Sequence, residues 1–171
     1  MNYTIQKGEH YSSPRTNILP LSSHTVEATW IFDESVKYEA DSENDQNKLF
    51  GLWFLPPLSW IVKNPTKLTR YNCAMVAWRW IDDGLELSPY LHRSGSLEYT
   101  EKLGNVRVKV PLNEPIQTKI QVTANFVIFK IGDIELMYEF PKHSSIAFAV
   151  QPYFGGQAVA PHDISIQKVS L

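Results

Sequence analysis

Residues 72–92 read NCAMVAWRWIDDGLELSPYLH, and the fold follows from how this stretch must sit. From 72 to 80 the chain is apolar at odd and even positions alike, except for Asn72 at its start and Arg79. Successive side chains of a strand point to opposite faces, so apolar residues at both parities mean that both faces are covered. This predicts an inner strand. Asp82, Asp83 and Gly84 then supply turn chemistry, because Asp and Gly tolerate positive φ. In residues 85–92 Leu85, Leu87 and Leu91 share one parity, as a second strand packed on a core requires. The stretch reads as a hairpin.

The same rhythm continues on either side. Residues 25–32 (TVEATWIF) are rich in β-branched and aromatic side chains, Val106, Val108 and Val110 alternate with Arg107 and Lys109, and 116–122 alternates again. Residues 125–131, Gly132-Asp133 and 134–140 form a second hairpin pattern, and strands are expected at 146–150 and 164–169. No amphipathic stretch is long enough for a major helix. About ten to thirteen short strands with turn signals between them predict an all-β fold, an antiparallel β-sandwich of jelly-roll type. At 171 residues the chain fits a single domain spanning 1–171. A polar loop is expected near 33–48, with Val36 and Tyr38 tucked down, and a Pro-rich loop near 53–70.

Composition excludes several classes. The chain is 43% hydrophobic and 20% charged, too apolar and too weakly charged for a disordered segment. Sixteen Lys and Arg against eighteen Asp and Glu leave a net charge of -2, with no basic field to recommend nucleic acid. Cys73 is the single cysteine, so neither an intrachain disulfide nor a cysteine-held metal is available, and its place in an inner strand predicts an inert thiol. The apolar run at 50–62 is broken by Pro56 and Pro57 and is too short to span a bilayer, which predicts no membrane insertion. The first residues lack an apolar signal region, so a soluble protein without a signal peptide, cytoplasmic when synthesised, is expected.

Strand parity places Glu86, Ser88, Tyr90 and His92 on the face opposite the leucines, with Arg79 on the neighbouring strand. Tyr and His combine flat rings with polar tips and Arg forks onto carboxylates, a set suited to sugars and above all to acidic ones. The competing reading is a solvated outer face. Trp78 and Trp80 share the parity of Ala74 and Val76 and are expected to be buried, whereas Trp53 and Trp60 flank the proline pair and serve either a ligand or loop anchoring. Asp41, Glu43, Asp45 and Asn47 offer oxygen ligands at alternate positions, but without the glycine and distal glutamate of a calcium loop they read as a solvated segment. No metal and no cofactor is expected. The five histidines, His10, His24, His92, His143 and His162, show no HExxH spacing, and no GxSxG elbow accompanies them. Glu135 and Glu139 can share a strand face, but that spacing alone does not define a glycosidase pair. No catalytic residue is nominated.

Residues 151–166, QPYFGGQAVAPHDISI, form the least ordinary segment. Gly155 and Gly156 permit positive φ, Tyr153 precedes them, and His162-Asp163 leads into the alternating Ile164 and Ile166. An Asp at a strand start binds backbone amides and a neighbouring His caps the loop, which is favoured here over catalysis because no nucleophile accompanies the pair. Together with KGEHYS at 7–12, DQNKLFG at 45–51 and the central WRW, this ending resembles an uncharacterised jelly-roll family of Bacteroidetes bacteria and their phages. The resemblance implies a sandwich of concanavalin A-like shape, akin to lectins and glucanases. The function expected from it is non-enzymatic: a bacteriophage virion surface component, associated with capsid or tail, whose partners are other proteins or further copies of itself. The alternative is a carbohydrate-binding module gripping polysaccharide through Arg79, Tyr90 and His92 or through Trp53 and Trp60. A polysaccharide lyase or glycoside hydrolase is the third reading.

Overall fold

The computed structural model describes residues 1–15, 20–21, 23–39, 46–66, 71–93, 95–98, 103, 106–140, 146–155 and 158–169. In chain order their strands are β1 (Asn2–Ile5), β2 (Ser12–Ser13), β3 (Pro20–Leu21), β4 (Thr25–Phe32), β5 (Asn47–Phe54), β6 (Asn72–Ile81) and β7 (Gly84–Arg93). There follow β8 (Ser96–Glu98), β9 (Val108–Val110), β10 (Ile116–Val122), β11 (Phe126–Ile131), β12 (Ile134–Glu139), β13 (Ala147–Val150) and β14 (Ile164–Val169). The opening stretch is the β6–β7 hairpin, paired from Cys73 opposite His92 to Ile81 opposite Gly84. Its turn places Asp82 and Asp83 at φ 48° and 56°, the two left-handed residues that match the twist of a tight hairpin.

These strands form two antiparallel seven-stranded sheets. The hairpin lies in sheet 1, ordered β3-β13-β5-β6-β7-β8, with β9 also pairing to β7. Sheet 2 is ordered β12-β11-β10-β4-β14-β1-β2. Between them lies one core containing Phe54, Val76, Trp78 and Leu87 from sheet 1 and Trp30, Phe32, Phe129 and Ile164 from sheet 2. Each fully buried side chain of this size contributes about 1.5–3 kcal/mol. Trp30 satisfies its indole N–H by donating to Thr118 Oγ1 at 3.0 Å, and Thr118 donates on to the Ala28 carbonyl. The expected jelly-roll sandwich is the fold observed.

Among the described residues, regular structure occupies part of each segment expected as a loop. Asp33 accepts the Ser35 amide and caps a 3-10 turn at Glu34–Val36, burying Val36 completely, and Tyr38 packs against the core. The strand after this loop starts at Asn47, and it runs on through Trp53 and Phe54 into the segment expected to be the Pro-rich loop. That segment then contains a helix, α1 (Leu58–Lys63), capped by Pro57. Proline breaks a helix interior but is compatible with its first turn, so the Pro pair ends β5 and starts α1.

Gly51 sets the spacing between β5 and β6. A Cβ there would lie 2.3 Å from the Ala74 carbonyl oxygen and 2.6 Å from Met75 Cα, both backbone atoms that cannot swing aside. Gly51→Ala is therefore expected to destabilise the fold by about 3 kcal/mol. The check is a lower urea midpoint at unchanged m-value.

Candidate functional site

The outward face of sheet 1 is arranged in rows by strand register. One row runs Phe148, Trp53, Cys73, His92 and Leu97; the next joins Val150, Gly51, Met75 and Tyr90. A third runs Tyr11, Tyr153, Lys48, Ala77 and Ser88, and a fourth joins Arg79, Glu86 and Lys109. Residues within a row are neighbours at roughly the 4.8 Å strand spacing. Small residues (Gly51, Cys73, Ala77, Ser88) occupy the middle, and aromatic and cationic side chains surround them.

This face is not a solvated surface. Arg79, Glu86, Ser88 and His92 are all buried, with exposures of 6, 9, 6 and 7%. Burying a charge demands a partner. Arg79 donates from Nε and Nη2 to Glu86 Oε2 at 3.2 and 3.0 Å, making a buried ion pair between register neighbours. Its guanidinium is thus committed within the protein. Four residues along β7 from Glu86, the Tyr90 hydroxyl meets His92 Nε2 at 3.1 Å, and the Lys48 ammonium sits 4.8 Å from the Tyr90 ring centre.

Sequence reasoning did not single out Lys48, His10 or Tyr11. Lys48 and Tyr153 exchange backbone hydrogen bonds of 2.9 and 2.8 Å, and Lys48 Nζ also donates to the Gln46 carbonyl. The His10 ring stacks on Tyr153 at 5.3 Å with planes 6° apart, while half-exposed Tyr11 meets the same ring edge-on at 5.1 Å and carries the Arg15 guanidinium above it. Gly155, at φ 71°, donates its amide to Asn47 Oδ1, and a Cβ on it would lie 2.1 Å from the Ala158 carbonyl oxygen. The signal was present in the motifs themselves. His10 and Tyr11 lie in KGEHYS, Lys48 in DQNKLFG, Arg79 in WRW and Tyr153 in PYFGG, and the fold brings all four together on one sheet face.

The remaining candidates lie elsewhere or are taken up by packing. His162 Nε2 meets the Ser35 carbonyl at 2.8 Å and Asp163 Oδ1 accepts the Lys7 amide at 2.8 Å, pinning the entry of β14. Trp53 stacks on Phe148 at 4.3 Å, and Trp60, on α1, packs against Tyr71 and over Gly95. Trp78 is fully buried, whereas Trp80 is half-buried beneath the Lys37 ammonium. Glu135 and Glu139 lie on β12, at the edge of the other sheet. Asp41, Glu43, Asp45, His143 and Gly156 lie outside the described residues. Among the described residues no group of three or more metal-ligating side chains assembles, and no helix is long and apolar enough to cross a membrane.

No protein-family model matches the chain, and no curated protein sequence matches it. Solved structures do resemble it in shape. An alginate lyase, AlyC3, superposes with a TM-score of 0.59 at 8% identity over 98% of this chain and 71% of its own. The same enzyme solved in complex with dimannuronate gives 0.59 at 9% identity over the same shares. A Bacillus licheniformis β-glucanase gives 0.50 at 9% identity, covering 98% and 75%. The class is therefore a concanavalin A-like jelly roll. The expectation of a phage virion component is corrected by these neighbours, which are carbohydrate-active enzymes; short motifs carried that expectation, and the shape they specify is shared with polysaccharide-handling proteins.

Two outcomes test this geometry. Arg79→Met leaves the Glu86 carboxylate buried without its partner and is expected to cost about 3–5 kcal/mol, most of it recovered in the Arg79→Met/Glu86→Leu double variant; chemical denaturation of the three proteins measures it. Burial pushes the Cys73 thiol up to about 12 from an ordinary value of 9.0, opposed more weakly by the His92 backbone hydrogen bond and the Lys48 charge. The native state then holds this proton where the unfolded chain releases it. Stability from the thiol is complete below pH 9 and falls as pH rises towards 12, by at most about 1.4 kcal/mol per unit. Cys73→Ala should flatten that slope in a comparison of unfolding midpoints at pH 8 and pH 10.

Proposed function

We propose that the chain binds an acidic polysaccharide across the outward face of sheet 1. The observation that carries this reading is the Lys48 ammonium lying between two rings, 4.8 Å from Tyr90 and 5.8 Å from Tyr153, with Tyr11 beyond Tyr153 and His92 beyond Tyr90. Stacked rings suit the apolar faces of sugars, and an ammonium beside them suits a carboxylate. Among Lys48, Arg79, Lys109 and Glu86, three cations stand against one carboxylate, so this face favours anions. A jelly roll of the same shape was solved with dimannuronate, which supports the substrate class. On its motifs, we also relate the chain to the uncharacterised jelly-roll family it resembles.

The Tyr90–His92 hydrogen bond favours a second reading, elimination at a uronate unit. There a base removes the proton on the carbon α to the carboxylate, a C=C bond forms, and the glycosidic oxygen leaves the β carbon and takes up a proton. Tyr90 and His92 are a hydrogen-bonded pair of the type that moves such protons. Hydrolysis is less well supported, because it uses two carboxylates, and on the described part of this face Glu86 is the one present and is held by Arg79.

Affinity electrophoresis in gels containing alginate, polygalacturonate or hyaluronan should retard the protein more than gels containing starch or laminarin. Lys48→Ala and Tyr90→Ala should each weaken retention about tenfold, the scale of one lost charge-assisted or stacking contact. Equal mobility in all five gels sinks the proposal. Incubation with the same acidic polymers, followed by ultraviolet absorbance of unsaturated uronate ends, separates elimination from binding alone.

A further inference from the structure

The outward face of sheet 2 carries a groove of about 720 Å³ unrelated to the face just described, and its size lies within the range of small-ligand sites. At its floor Thr29 on β4 is only 4% exposed, and its hydroxyl has no hydrogen-bond partner. A buried hydroxyl left unsatisfied costs free energy, and native proteins supply a partner, whether protein, water or ligand. Thr29 is flanked in register by Gln117 on β10 and Val169 on β14, and all three line the groove.

The rest of the lining defines the ligand's chemistry. Register places Glu27, Lys119, Lys130 and Glu135 in one row across β4, β10, β11 and β12. The two lysines lie directly opposite one another, an unfavourable arrangement that the outer glutamates offset. Among the described residues neither lysine is in ion-pair contact with its glutamate, so the donors and acceptors of the row stay open to a third party. Lys168 also lines the groove, so an anion would meet Glu27 and Glu135, and a cation would meet Lys119, Lys130 and Lys168. Sugar hydroxyls, each both donor and acceptor, match Thr29, the amides of Gln117 and Gln121, and both charge types. Ile128 and Val169 supply apolar surface for C–H groups.

We propose that this groove is a second binding site, for a neutral oligosaccharide, with the Thr29 hydroxyl as its buried anchor. The site is independent of the acidic-polysaccharide face, from which the whole core separates it. Maltohexaose, cellohexaose, laminarihexaose and mannohexaose, titrated into ¹⁵N-labelled protein, test it. At least one should shift the amide resonances of Thr29, Gln117, Lys119 and Ile128 while leaving those of Ala77, Ser88 and Tyr90 in place. Thr29→Val should then weaken binding roughly three- to tenfold, and Thr29→Ser should retain it. The spectrum of Thr29→Val reports its own folding, and this variant keeps wild-type retention in acidic gels. The proposal is overturned if no hexasaccharide moves those resonances, if shifts fall on the sheet 1 face instead, or if Thr29→Val binds as tightly as wild type. Failure of the acidic-gel experiment alone leaves these outcomes unaffected and counts only against the earlier reading.

Discussion

Strand β6 is covered on both faces, and the rest of the molecule is arranged around that constraint. Its inward residues Ala74, Val76 and Trp78 fill the centre of the core, while its outward residues Cys73, Met75, Ala77 and Arg79 are equally shielded. Every backbone polar group along it must find a protein partner, which β5 and β7 provide over almost its whole length. A slip of one residue would exchange the faces, placing Arg79 in the core and Trp78 outside, so register is fixed by a penalty at both surfaces at once. The buried arginine makes the same demand on β7, where Glu86 must stand opposite it. As an ion pair this is weak evidence of added stability, because desolvation offsets much of the attraction. Its effect is to allow one arrangement of the two strands.

A site built on such a strand inherits its rigidity. Tyr90 and His92 stand two residues apart on β7, and Lys48 is delivered by β5 just before the register shift between Lys48 and Phe50. Tyr153 is held to Lys48 by paired backbone hydrogen bonds, and Asn47 ties Gly155 to the start of the same strand. Three segments more than thirty positions apart in the chain therefore meet through main-chain pairing, and the side chains they present need little reordering when a ligand arrives.

What was legible in the sequence was local. Parity along 72–92 is a property of neighbouring residues, and it identified the hairpin, its turn, and the faces of Leu85, Leu87 and Leu91 without reference to any other strand. Lys48, His10 and Tyr11 join the site only through pairings between β5, β6 and the Tyr153 segment, and nothing in the spacing of those residues encodes which strands become neighbours. The two-residue strands β2 and β3 are too short to show alternation. Burial of Glu86, Ser88 and His92 was hidden for a different reason: polar side chains on alternate positions read as a solvent face, and only tertiary cover changes that reading. Helix α1 was obscured by its own start signal, because a proline pair reads as a break until the chain beyond it is seen to turn.

The two outward faces of the sandwich answer to different chemistry because the core insulates them. On sheet 1 Lys48 is close to aromatic rings and Arg79 is locked to Glu86; on sheet 2 lysines and glutamates alternate with amides and a buried hydroxyl, with no ring among the groove residues. Substitutions on one face share no contacts with the other, so their effects should add. A jelly roll of this kind can thus change the specificity of one sheet without disturbing the other, provided β6 keeps its register. That condition returns to Arg79 and Glu86, since the pair that fixes the sheet also sets the distance between the ring-and-cation row and the Lys109 edge of the same face.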